Sequence, residues 1–153
     1  MNQIKVPLYP ATMALYKTLK TGEACGLTWY EGDTDIDEID ANFRDQAAFS
    51  YGILGAVDAD QNDKVNTIWD YSIQLEIFSS YPGRKIVAEK LNELMNFMCQ
   101  GTTWSSLEKL LAPEGFTIIS MNIGPHRLNP AIRGDNGTWQ SGSVNLVMKL
   151  NQI

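Results

Sequence analysis

One histidine and two cysteines are all that this chain of 153 residues offers to nucleophilic, redox or soft-metal chemistry. A Ser-His-Asp or Cys-His pair can use only His126, whose Gly124-Pro125-His126-Arg127-Leu128-Asn129-Pro130 setting reads as an extended surface loop. Cys25 and Cys99 lie far apart, with neither C-x-x-C nor zinc-like spacing, and are expected to be reduced, half-buried thiols, which suits a reducing cytosol. Glycine is not grouped for phosphate binding: G-x-G-x-x-G is absent and no G-K-[ST] follows a glycine loop. Positive charge is scarce too, 12 Lys and Arg against 18 Asp and Glu, and the net charge of -6 excludes a nucleic-acid binder that relies on a basic face. Met1 to Leu19 holds Lys5, Pro7, Pro10 and Lys17 and no apolar h-region, so neither a signal peptide nor a membrane span is expected. No repeat occurs, and the length fits a single domain over residues 1–153 that needs no metal or disulfide for its core.

What the chain does have is a strand that feeds directly into a helix. Trp69, Tyr71, Ile73, Leu75 and Ile77 take every second position, with Asp70, Ser72, Gln74 and Glu76 between them, the period of a strand buried on one face. Phe78 breaks that alternation. After Pro82 and Gly83, the apolar set Ile86, Val87, Leu91, Leu94, Met95 and Met98 recurs at helical spacing, opposite Lys85, Glu89, Lys90 and Glu93. Full burial of these six side chains is worth roughly 10–15 kcal/mol as an upper estimate, which makes this unit the expected core.

Around it, Pro10, Ala11, Ala14, Leu15 and Leu19 predict an opening helix stopped at Gly22, and Gly26 to Tyr30 predicts a short strand. Phe49, Tyr51, Ile53 and Val57 alternate with small residues, so this strand is expected to have one heavy face and to pair antiparallel with the strand from Thr67 through a turn over Asp58 to Asn66. Trp104, Leu107, Leu110 and Leu111 predict a short helix with Ser105 and Glu108 in capping-box spacing. Phe116 to Ile123 reads as a strand, Gly124 to Asn136 as a long polar excursion, and Asp135-Asn136-Gly137 as a turn before a final strand through Val144, Leu146, Met148 and Leu150. Helix, three strands, two helices and two strands predict an α+β domain, with a largely antiparallel sheet that carries the main helix on one face.

Seven carboxylates between Glu31 and Asp45 face the single base Arg44, a density that favours a solvated loop. A calcium loop would use Asp33, Asp35 and Asp37 as its first, third and fifth positions, but Glu38 stands where glycine is needed and Arg44 where a bidentate Glu belongs. Asp58, Asp60 and Asn62 repeat the pattern with Asp63 and Trp69 in those two places. No catalytic set, cofactor site or metal site is therefore expected. A small enzymatic or metal-binding domain using Asp33, Asp35, Asp37 and Asp40 is the alternative, and an adaptor subunit of another assembly a third reading. Phe78, Tyr81 and Trp139 sit at strand ends or beside loops, where large side chains serve either an interface or the edge of a core.

The segment Tyr71-Ser72-Ile73-Gln74-Leu75-Glu76-Ile77-Phe78-Ser79-Ser80-Tyr81-Pro82-Gly83-Arg84-Lys85, followed by a helix, resembles the core of the tail completion proteins of long-tailed bacteriophages and prophages, also called tail terminator or head-tail joining proteins. The order of elements resembles that family over most of the chain, and the Asp-rich insertion after Tyr30 departs from its usual short connection. The resemblance implies a non-enzymatic ring, a hexamer, made in the host bacterial cytoplasm and placed at the head-proximal end of the virion tail. Its partners would be other copies of the chain, the tail tube protein and the head connector, with genomic DNA passing through unread. Under that reading the expected subunit interface comprises Phe78, Tyr81, Pro82, Gly83, Arg84, Lys85, His126, Arg127, Arg133 and Trp139. Arg84 would pair with an acid from the Glu31 to Asp45 loop of the adjacent subunit.

Overall fold

Strict alternation from Trp69 to Ile77 puts five large side chains on one side of a strand, and that strand is the middle of the sheet. The computed structural model describes residues 4–22, 24–31, 50–62, 64–80, 83–134 and 137–153, with 132–134 and 137–138 described by backbone alone. Its elements are α1 (Leu8–Thr21), β1 (Thr28–Tyr30), β2 (Ser50–Gln61), β3 (Ile68–Ser79), α2 (Lys85–Met98), α3 (Gly101–Leu111), β4 (Phe116–Leu128), β5 (Ile132–Gly134) and β6 (Gly137–Gln152). The sheet order is β1-β2-β3-β6-β4, with β5 paired to the start of β6. Among the described residues only β1 and β2 run parallel; β2, β3, β6 and β4 are antiparallel neighbours. The fold is α+β.

The three helices among the described residues share one core with one face of this sheet. Register sets Ile73 opposite Leu146, Leu75 opposite Val144 and Ile77 opposite Gly142, so the odd positions of β3 and the even positions of β6 point the same way. Along α2, Val87, Leu91, Leu94 and Met98 are buried, while Ile86 and Met95 are half-buried at the margins of the stripe. Val87 and Leu91 come down on β6 at Gly142, where a Cβ would lie 2.6 Å from Leu91 Cδ1 and 2.8 Å from Val87 Cγ1. The absence of a side chain there lets the helix approach. On α1, Ala11, Ala14, Leu15, Thr18 and Leu19 are buried, as the apolar stripe predicts.

Four local expectations are corrected. In β2, the register slips between Leu54 and Val57. One extra residue in a bulge moves the alternation to the other face, so Tyr51 and Ile53 lie away from the helices while Leu54 and Val57 face them. The predicted strand from Gly26 begins at Thr28, because Ala24–Gly26 forms a 3-10 turn with Cys25 at φ 62° and Gly26 at φ 67°. Helix α3 starts at Gly101, and no side chain caps its N-terminus. Ser105 and Glu108 are thus inside the helix; the Glu108 carboxylate instead accepts the Ile118 backbone N–H at 2.6 Å and the Thr117 hydroxyl at 3.2 Å. Finally, Gly124 to Asn136 is not a polar excursion: β4 continues to Leu128 and β5 follows at Ile132. Pro125 is tolerated in that strand because β4 is the sheet's edge and its register slips between Ile123 and His126.

Turns behave as their chemistry requires. In the β2–β3 hairpin, the Asn62 side-chain oxygen accepts the backbone N–H groups of Lys64 at 2.9 Å and Val65 at 3.0 Å. Asn62, one of the three residues that echo a calcium loop, therefore closes an Asx turn. Phe49, the Glu31 to Asp45 run beyond Glu31, and the Asp135-Asn136 turn lie outside the described residues.

Candidate functional site

Helices cover one face of the sheet; among the described residues no helix covers the other. On that open face Tyr51 is the hub of an aromatic cluster: Phe78 stacks on it with ring centres 5.3 Å apart, and Tyr30 and Trp139 meet it edge-on at 6.0 and 6.1 Å. Direct pairing of Tyr51 with Phe78 across β2 and β3 makes the stack possible. Phe78 and Trp139, singled out from the sequence, are thus brought together, and both remain half-buried beside the buried pair Tyr30 and Tyr51. Tyr30 and Tyr51 were missed. The break in alternation at Phe78 is the signal that could have found them, since an apolar residue on a polar face needs a cross-strand partner.

Away from the aromatics the open face is polar and built of small side chains. Ser143 and Asn145 of β6 lie beside Gln74 of β3 and Arg127 of β4. These four, with Pro125 and His126, line a cleft of about 270 Å³. His126 and Arg127 therefore belong to an edge strand and not to a loop, a correction that follows from β4 running five residues past Ile123. The His126 ring nitrogen Nδ1 lies 3.3 Å from the Gly124 carbonyl. Arg127 is exposed, and no carboxylate among the described residues lies within ion-pair distance of it.

Gly83, Arg84 and Lys85 form the entry to α2, and all three are exposed. Gly83 takes φ 95°, which a side chain would disfavour. Arg84 and Lys85 place two cations at a helix N-terminus that carries no acid in its first turn, against the direction of the helix dipole. Tyr81 and Pro82 lie outside the described residues, as do the side chain of Arg133 and the expected acidic partners of Arg84 beyond Glu31.

The two thiols differ. Cys25 is half-buried, as expected, but Cys99 is exposed at the C-cap of α2, next to buried Met98. Burial, with a smaller contribution from Glu93 and opposed by Lys90, pushes the Cys25 thiol up to about 12. Among the described residues, no group of three or more His, Cys, Asp or Glu is arranged to hold a metal ion. The Asp33, Asp35, Asp37 and Asp40 set lies outside them. No helix among the described residues is long and apolar enough to cross a membrane. No protein-family model matches the sequence, and no curated protein matches it.

Proposed function

We propose that this chain is a structural protein of a long-tailed bacteriophage or prophage, which closes into a ring, caps the tail tube and joins it to the head connector. It has no catalytic role. The ring is a hexamer assembled in the host bacterial cytoplasm and carried at the head-proximal end of the virion tail, with other copies, the tube protein and the connector as partners. The observation that carries the reading is the strand–turn–helix unit. The segment from Tyr71 to Lys85 that resembles tail completion proteins coincides with β3 and the entry to α2. Further support comes from the half-buried aromatics Phe78 and Trp139, the cations at the entry to α2, and an acidic chain whose like charge would let DNA slide through a channel without adhering.

Purified tails that lack their completion protein provide the test. Added chain should bind at the head-proximal end, appear there as a ring in electron micrographs and stop over-polymerisation of the tube. If tails neither bind it nor stop growing, the assignment is wrong.

A further inference from the structure

Among the described residues, the two sides of the sheet's open face differ in charge. At the β4 edge the cleft lined by Gln74, Pro125, His126, Arg127, Ser143 and Asn145 offers a guanidinium, two amides and a hydroxyl on the open face, and no carboxylate; the His126 ring, paired with core-facing Val144, lies toward the helix side. Glu76, two residues along β3 on the same face, has its Oε1 over Gly55 of β2, on the opposite side. On the other side, β1 flanks β2 only over Tyr51 to Ile53, and where β2 runs on with no further strand paired to it among the described residues, Asp58 and Asp60 project from the open face near the hairpin tip. Asp60 stands directly opposite Asp70 in the register, a like-charge pair that weakens the hairpin. Lys149 lies 3.9 Å from Asp70. Neither Asp58 nor Asp60 has a cation within ion-pair distance among the described residues.

We infer that these two sides are the two halves of one contact, in which the Arg127 cleft of one copy receives the Asp58 and Asp60 carboxylates of the next. The inference rests on the ring reading for its head-to-tail arrangement and supplies the residues that the reading leaves open. Opposite signs on opposite sides make the contact heterologous, because either patch laid upon itself would oppose like charges. Side chains carry it: Pro125 and the two register slips along β4 remove the regular row of backbone donors and acceptors that strand-to-strand pairing needs. A guanidinium can take a carboxylate through two parallel hydrogen bonds, and the amides of Gln74 and Asn145 can donate to the same oxygens. Asp58 and Asp60, two residues apart on one face, present two carboxylates to one cleft.

Charge reversal tests this directly. The full chain, Arg127→Glu, Asp60→Lys and the double variant would be compared by sedimentation equilibrium at 50 and 500 mM NaCl, with circular dichroism to verify folding; all three positions lie on the surface. Each single variant should raise the dissociation constant at least tenfold at low salt, the double variant should return to within about threefold of the parent, and high salt should weaken the parent alike. An Arg127→Glu chain that associates like the parent overturns the inference, as does a double variant no better than the singles or a parent monomeric up to millimolar concentration. If Arg127→Glu still rings and caps tails, this contact is wrong while the tail reading stands. If the parent fails to cap tails yet associates with the charge-swap pattern, the contact stands and the tail reading falls.

Discussion

Cys25 shows how one residue can record the strain and the burial of its neighbourhood. Its backbone lies in the left-handed region, its carbonyl accepts the Lys90 ammonium at 2.7 Å, and its thiol is held neutral up to about 12. The unfolded chain releases that proton near the ordinary value of 9.0, whereas the folded chain keeps it. The stabilisation is therefore complete below about pH 9 and is lost as pH rises toward 12. Tyr71, buried and bonded to Thr12 at 2.7 Å, is also raised and acts with the same sign. At pH 8 a thiol reagent should modify exposed Cys99 rapidly and Cys25 only after denaturation, and Cys25→Ala should flatten the alkaline fall in stability while leaving the part due to Tyr71. Two equally fast thiols would contradict this. Packing is equally local. A Cβ at Gly52 would lie 2.4 Å from the Trp29 indole, so Gly52→Ala should cost about 1–3 kcal/mol in denaturant melts. Gly101→Ala, which meets nothing within 4 Å, serves as its neutral control. Leu75→Ala should cost about 2–5 kcal/mol, and Gln74→Ala on the open face within roughly 0.5.

Elements here are joined by a few side chains that reach from one backbone to another. Glu108 ties α3 to β4 by accepting from Ile118 and Thr117, and it satisfies a backbone donor on an edge strand where no further strand is paired among the described residues. Hydrogen bonds to a charged group contribute about 1.5–3 kcal/mol, so Glu108→Ala should lower stability by that amount. Glu108→Gln, which keeps an acceptor, should lose less. Equal losses would mean that the charge contributes nothing. The acidic run from Asp33 to Asp40 belongs to this scale as well. Without glycine at the sixth position or an acid at the twelfth, it should give no micromolar calcium binding in titration calorimetry, and a fitted micromolar site would reverse that reading.

For the whole molecule the decisive feature is that, among the described residues, three helices and one face of the sheet bury a common core, with a small aromatic cluster on the reverse side. Unfolding should therefore be one transition. Circular dichroism, which reports the backbone, and tryptophan fluorescence, which reports Trp29 and Trp69 in the core, Trp104 packed against it and Trp139 on the open face, should give the same midpoint. A separate, earlier fluorescence change would mean that the open-face cluster melts independently of the core.

Much of this was legible in the chain itself. Period-two alternation in β3 and β6, and the stripes on α1 and α2, fixed which side chains are buried, because a buried face must repeat with the geometry of its element. The α+β class followed from element order, and Phe78 and Trp139 stood out as large side chains at strand ends. Where non-local contact decides, the sequence was silent or misleading. A bulge in β2 reverses the faces of Tyr51 and Val57 without altering the local alternation, and only pairing with β3 reveals it. Backbone hydrogen bonds to β6 keep Gly124 to Leu128 extended despite Pro125 and a polar composition, so His126 and Arg127 come to lie on a strand beside Ser143. Glu108 has the spacing of a cap, but its partner is a strand ten residues on, brought within reach by the turn at Gly115. Tertiary structure alone brought Arg127 to one side of the described sheet and Asp58 and Asp60 to the other, since strand order cannot be read from the spacing of residues within a strand.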